Sequence, residues 1–216
     1  MNNPVDPHLS DILSPQRAAL LVVDVQNDFC HEDGLFGKLG VDMSGVQRAA
    51  KNIEQLLPTA RQAGVPIIFV VMEHDAKTNS RAWINRYATA RADACVAGTW
   101  GAQLYLVKPL SGEPVVVKHR YSPFVGSNIE YLLRARERES LIVTGVATNI
   151  CVEAVLRDGF TRDYDVVLVE DCAGAYSERA HQSAVENTRG FLGRVVDSAL
   201  MREHWLGVSK SPAPRP

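Results

Sequence analysis

The sequence predicts an α/β protein, a three-layer doubly wound fold with a six-stranded parallel sheet. Three observations carry this expectation. Six short apolar runs are nearly continuous instead of alternating, as strands covered on both faces are. Helical patterns or turns separate the runs, and strand–helix alternation indicates a parallel sheet with helices on both faces. Polar side chains able to do chemistry fall at the ends of three runs, where such sheets bind ligands.

The strands are expected at 18–24, 65–72, 114–118, 140–145, 165–170 and 194–198. Between the first two, Val46, Ile53, Leu56 and Leu57 recur at helical spacing over 44–64, with Gly64 placed to end the helix and Pro58 to kink or break it. Ser127-Asn128-Ile129-Glu130 matches a capping box and opens a helix to about Arg136. Thr148 or Asn149 caps a helix running to about Asp163, and Ser177 one running to about Phe191. The longest irregular stretch, 73–113, holds Trp83, Tyr87 and Trp100, and its length marks it as functional or partly helical. One domain is expected over 18–208, preceded by an N-terminal arm (1–17) and followed by a Ser/Pro-rich disordered tail (209–216).

A chain of 216 residues, 46% hydrophobic, can bury one sizeable core and falls short of two ordinary domains. Its 23 basic and 25 acidic residues leave nothing to attract a polyanion, which argues against a nucleic-acid partner. No apolar run approaches the roughly 18 residues of a membrane span, and the first 14 residues lack a basic-then-apolar leader pattern. A cytoplasmic protein without a membrane partner is expected. Cys30, Cys95, Cys151 and Cys172 lack the close spacing of metal-binding pairs and read as free thiols.

Asp24 closes the run Leu-Leu-Val-Val-Asp, Lys118 closes Val-Val-Val-Lys, and Cys151 follows Leu-Ile-Val-Thr-Gly after a short turn. A carboxylate, an ammonium and a thiol are thus brought to one edge of the sheet from distant parts of the chain. With Thr148 as cap, Cys151 falls in a first helical turn, where free amides and the helix dipole favour thiolate. Each residue also has a plainer role: a small packing residue for Cys151, a turn residue for Asp24, an exposed strand end for Lys118.

The segments Val22-Val-Asp24-Val-Gln-Asn-Asp-Phe29, Lys118-His-Arg-Tyr-Ser-Pro-Phe124 and Thr144-Gly-Val-Ala-Thr-Asn-Ile-Cys151-Val152 resemble the three signature segments of the isochorismatase-like cysteine hydrolases. The resemblance runs from Ala18 to about Trp205. It implies strand order 3-2-1-4-5-6, a catalytic triad of Asp24, Lys118 and Cys151, and a cis peptide at Val146–Ala147. It also implies an oxyanion hole from the backbone amides of Ala147 and Cys151. In the implied reaction, Asp24 takes the thiol proton, Cys151 attacks a small amide or ureide, and Lys118 holds Asp24.

Within the family the motifs are most similar to ureide-cleaving members such as ureidoacrylate and biuret hydrolases, with N-carbamoylsarcosine and maleamate amidases close by. Nicotinamidases share the triad but add an Asp and two histidines for a metal; here His74, in Met72-Glu-His-Asp75, has no second histidine. Neither a metal nor another cofactor is therefore expected. Cys151 argues against vinyl-ether cleavage, and the lack of a Gly-rich loop after the first strand argues against a nucleotide-binding module. Asn27, Phe29, Trp100, Tyr121 and Phe124 are the candidate substrate-binding residues. Nothing outside the triad supplies an obvious clamp for a highly charged substrate. By resemblance a homo-oligomer, dimer or tetramer, is expected.

Overall fold

The computed structural model describes residues 6–86 and 93–208. Tyr87 and the expected tail (209–216) lie outside the described residues. Six parallel strands form one sheet: β1 (Ala18–Val23), β2 (Ile67–Met72), β3 (Val115–Lys118), β4 (Ser140–Val146), β5 (Asp165–Gly174) and β6 (Arg194–Val196). Their order is β3-β2-β1-β4-β5-β6, the order expected.

Alternate side chains of each strand feed two cores. Leu20, Val22, Phe69, Ile142 and Val167 meet Val46, Ile53 and Leu56 of helix α1 (Ser44–Gln62) and Met201 and Trp205 of a C-terminal helix (Ser198–Val208). Leu21, Val23, Ile68, Val70 and Val143 meet Leu133 of helix α2 (Ile129–Arg134). On that same face they also meet Val155 and Leu156 of α3 (Glu153–Phe160) and Val185 of α4 (Glu178–Asn187). This double cover explains the continuous apolar runs of β1, β2 and β4, every residue of which is buried. The edge strand β3 departs from the expectation. Val115 and Val117 are exposed while Val116 and Lys118 are buried, so one of its faces is open.

Helix α1 continues through Pro58, which lies on the exposed face, so of the kink or break expected there no break occurs. Its end follows the expectation. Gly64 takes φ +74°, its N–H bonds the Arg61 carbonyl, and the Val65 N–H bonds that of Ala60, which is the Schellman pattern. The Ser127 capping box does not form. Ser127 Oγ accepts from the Ile129 N–H and donates to the Pro123 carbonyl, while Glu130 pairs with Arg134 and Arg162. Ser177 precedes α4 without a side-chain cap bond, and the helix gives way at Thr188 to a π turn. The final helix, α5 (Ser198–Val208), is begun by Asp171, whose carboxylate accepts from the Ser198 N–H and hydroxyl. Within the segment expected as an arm, Ile12 and Leu13 are buried, and Trp205 Nε1 donates to the Leu13 carbonyl.

Candidate active site

At the carboxyl edge of the sheet the chain leaves β1 at Asp24, which takes φ +54° and still donates its N–H to the Val70 carbonyl. Positive φ is uncommon for a residue with a Cβ, and the sheet tolerates it here because neighbours on both sides fix the turn. Asp24 is fully buried. Lys118 is the last residue of β3 and is also fully buried. The strand between them, β2, ends at Met72, in register with Lys118. The lysine side chain passes over that end, with Nζ 4.0 Å from Met72 Sδ, to reach Asp24.

Its ammonium is fully engaged. Nζ lies 2.8 Å from Asp24 Oδ2, 3.5 Å from Cys151 Sγ and 3.2 Å from the Arg120 carbonyl oxygen. The three residues picked from strand ends therefore meet in one dry corner. The other carboxylate oxygen, Asp24 Oδ1, is buried without a hydrogen bond of ordinary geometry. A buried acceptor without a donor is costly, and here it is an acceptor beside a thiol.

Burial pushes the Asp24 carboxyl above the usual carboxylate value, against the pull of Lys118 and Cys151. Burial works to lower Lys118, but the charges of Asp24 and Cys151 hold it above its ordinary value. Cys151 is pushed up by burial first and by the Asp24 charge second, with Lys118 opposing. Burial thus works against the thiolate that a first helical turn was expected to favour. The turn at Thr148–Val152 is a five-residue π turn, and desolvation of the thiol outweighs what its few free amides supply. A neutral thiol needs a base to take its proton, and the nearest is Asp24.

Thr148 does not cap the following helix. Its hydroxyl pairs with His181 Nδ1 at 2.9 Å, tying the cysteine turn to α4. The Val146–Ala147 peptide is cis. The Ala147 carbonyl accepts from the N–H groups of Ile150 and Val152, and among the described residues its own N–H has no acceptor. Before this peptide stands Gly145 at φ +123°, where a Cβ would lie 2.0 Å from the Val23 carbonyl oxygen. Only glycine lets β4 approach β1 so closely at the carboxyl edge.

The five candidate substrate-binding residues divide. Asn27 is buried, and its Nδ2 donates to the Trp100 carbonyl at 2.9 Å, which joins the turn after β1 to the loop bearing Trp100. Trp100 is about half exposed, with the His31 ring edge-on at 5.0 Å. Phe29 packs on Phe36 and its carbonyl accepts from the Tyr176 hydroxyl. Tyr121, three residues beyond Lys118, is part-exposed and packs edge-on against Trp83 at 5.1 Å. Phe124 is carried away from this group. It is buried against Tyr164 and beneath Arg162, both just before the amino end of β5, so it belongs with the core.

The structure adds residues to this corner that were not singled out as a site. Trp83 stacks on His74 at 4.9 Å, and the Arg120 guanidinium lies 5.4 Å from the Trp83 ring. Arg120 thus adds a cation beside Trp83, where the sequence offered no obvious clamp for a highly charged substrate. His74 is buried, and burial lowers its pKa, so it favours the neutral ring. Among the described residues no three His, Cys, Asp or Glu side chains gather as a metal-binding set. His74 directly follows β2 at Glu73-His74, a position that the strand-end rule reaches once the apolar run is read to Met72.

The fold is doubly wound α/β, and a carboxylate, an ammonium and a thiol meet at the carboxyl edge of its sheet. Residues 18–199 match the model of the isochorismatase domain, and the chain belongs to the isochorismatase family of hydrolases. It is 34% identical to a ureidoacrylate amidohydrolase of Methylobacterium radiotolerans, over 93% of this chain and 84% of that protein. Among solved structures, a cysteine hydrolase from Pseudomonas syringae pv. phaseolicola superposes with a TM-score of 0.78 at 24% identity, covering 90% of this chain and 95% of that one. An isochorismatase family protein from Desulfovibrio vulgaris superposes with a TM-score of 0.72 at 32% identity, covering 85% and 95%. No helix among the described residues is long and apolar enough to cross a membrane.

Proposed function

We propose that the protein is a cysteine-dependent amidohydrolase cleaving a carbon–nitrogen bond, other than a peptide bond, in a small ureide. The observation that carries this reading is the buried Lys118 ammonium bridging Asp24 Oδ2 at 2.8 Å and Cys151 Sγ at 3.5 Å. Asp24 takes the thiol proton as the sulfur attacks the ureide carbonyl, and Lys118 stabilises the thiolate as it forms. The amides of Ala147 and Cys151 hold the oxyanion. Asp24 returns the proton to the departing nitrogen as the C–N bond breaks, leaving a thioester on Cys151. Water then attacks the thioester, giving its proton to Asp24; the C–S bond breaks and the thiol is restored. No step uses a metal.

The ureide reading is supported by the relative named for ureidoacrylate. Arg120 adds a reason of charge: its guanidinium lies 5.4 Å from the Trp83 ring and donates to the His119 and Thr78 carbonyls, and a cation there suits a ureide bearing a carboxylate. Asn27, Trp100 and Tyr121 supply polar and aromatic lining. A site built for hydrogen bonds rejects analogues that lack them. Competition at equal concentration between ureidoacrylate, biuret and nicotinamide tests the reading. A higher kcat/KM for the ureides is expected, with ureidoacrylate first; preference for nicotinamide overturns it.

A further inference from the structure

The chemistry above gives Gln26 no direct part, yet its side chain is completely buried. Its surroundings follow from the way β1 ends. β1 pairs with β2 as far as Val23 opposite Val70, and the Asp24 N–H adds one more bond to the Val70 carbonyl. A continuing parallel ladder would next join the Met72 N–H to the Asp24 carbonyl. The turn at Asp24 prevents that, because the Gln26 N–H takes the Asp24 carbonyl instead, at 2.8 Å. Met72 is left with an N–H and a carbonyl facing the place β1 has vacated.

The Gln26 side chain fills that place. Oε1 accepts from the Met72 N–H at 2.8 Å, and Nε2 donates to the Met72 carbonyl at 2.8 Å. The second Nε2 hydrogen goes to the Ala102 carbonyl at 2.7 Å. One primary amide thus replaces a missing peptide group of β1, in both donor and acceptor sense, and ties in the Trp100–Ala102 turn as well. Met72 is also the residue opposite Lys118 in the sheet, and the one whose sulfur lies against Nζ.

We infer that Gln26 is a positioning residue for the Asp24–Lys118 pair, replacing the lost β1 backbone and so fixing the end of β2 over which the lysine reaches. This rests on the reading of Asp24, Lys118 and Cys151 as the catalytic triad. The side-chain type is constrained by the contacts. Asparagine is one methylene short, ionised glutamate has no hydrogen to donate to two carbonyls, and leucine leaves three backbone groups unpaired, two of them buried. Loss of the amide lets the β2 end and the lysine above it shift relative to Asp24.

The test compares Gln26→Leu and Gln26→Glu with the unaltered protein. Its readouts are Tm, kcat and KM for ureidoacrylate, and the pH dependence of iodoacetamide alkylation at Cys151 followed by peptide mapping. The expected result is a roughly 10–100-fold fall in kcat per folded molecule with KM changed by less than about threefold, because misplacement acts on the reacting groups. The alkylation profile should shift as well. Gln26→Glu keeps the size and shape of the side chain and serves if the leucine variant does not fold. A folded variant with reduced Tm but unaltered kcat and alkylation profile shows a purely structural role and overturns the inference. Cys151→Ala, assayed alongside, separates the two levels: activity surviving there refutes the triad reading itself.

Discussion

Replacing Lys118 with methionine, of nearly the same volume, removes the cation and leaves Asp24 buried. The pair is 2.8 Å apart with both side chains essentially inaccessible, and at an effective dielectric of about 20 such charges attract by about 6 kcal/mol before desolvation. Removing one partner of a buried pair costs about 3–5 kcal/mol, because the other charge remains without compensation. The loss depends on pH, and its sign follows from Asp24. Burial already raises this carboxyl, and without Lys118 it rises further above its unfolded value. A raised folded pKa gives a contribution that is complete below the unfolded value and lost as pH climbs through the folded one. Lys118→Met should therefore lose about 3–5 kcal/mol near neutral or mildly alkaline pH and much less near about pH 4. Adding Asp24→Asn removes the stranded charge and should restore most of the stability. Urea unfolding of the single and double variants at both pH values measures this. Equal destabilisation at both pH values, or a double variant weaker than Lys118→Met alone, would show that the stranded Asp24 charge is not the source of the loss.

Cys151→Ala should abolish turnover with the fold intact, and Cys151→Ser should be nearly inactive, while alanine at Cys30, Cys95 or Cys172 should retain substantial activity; steady-state assays with thermal melts decide. Activity should fall on acidification as Asp24 takes up a proton, and the acid limb of kcat/KM should lie above the ordinary carboxylate value because burial raises this group. A limb at the ordinary value removes Asp24 as the base. Arg120→Gln should raise KM for ureidoacrylate by about tenfold, roughly one charge-assisted hydrogen bond, while changing KM for neutral biuret little. Equal effects on both substrates refute the carboxylate contact. Extensive chelation should leave turnover unchanged, and loss of activity restored by added zinc, iron or manganese would contradict the mechanism.

Much of this corner was legible in the sequence because it is encoded at strand ends. Asp24, Lys118 and Cys151 each follow an apolar run, so their placement needs only the parallel sheet and its direction. What escaped depends on contacts far along the chain. The Thr148 hydroxyl has the cap position its type suggests, but its partner is His181, 33 residues away. Gln26 stands within a recognised motif, yet its backbone partners are 46 and 76 residues distant. Helix α5 has Met201 and Trp205 at helical spacing, but Asp171 forms the bonds at its start from another strand. Phe124 looked like a pocket residue because it follows Lys118 closely; the loop instead carries it to Tyr164 and the core. Local chemistry proposes such roles, and tertiary packing assigns them.

In the proposed mechanism Cys151 becomes acylated. A reaction with ureidoacrylate, quenched in acid during turnover and digested, allows the peptide carrying Cys151 to be weighed. A carbamoyl adduct on that cysteine is predicted, absent from the other three cysteines and absent when Asp24→Asn replaces the unaltered enzyme. Turnover with no adduct on Cys151 under rapid quench, together with a Cys151→Ala variant that still releases product, would show that Cys151 is not the nucleophile.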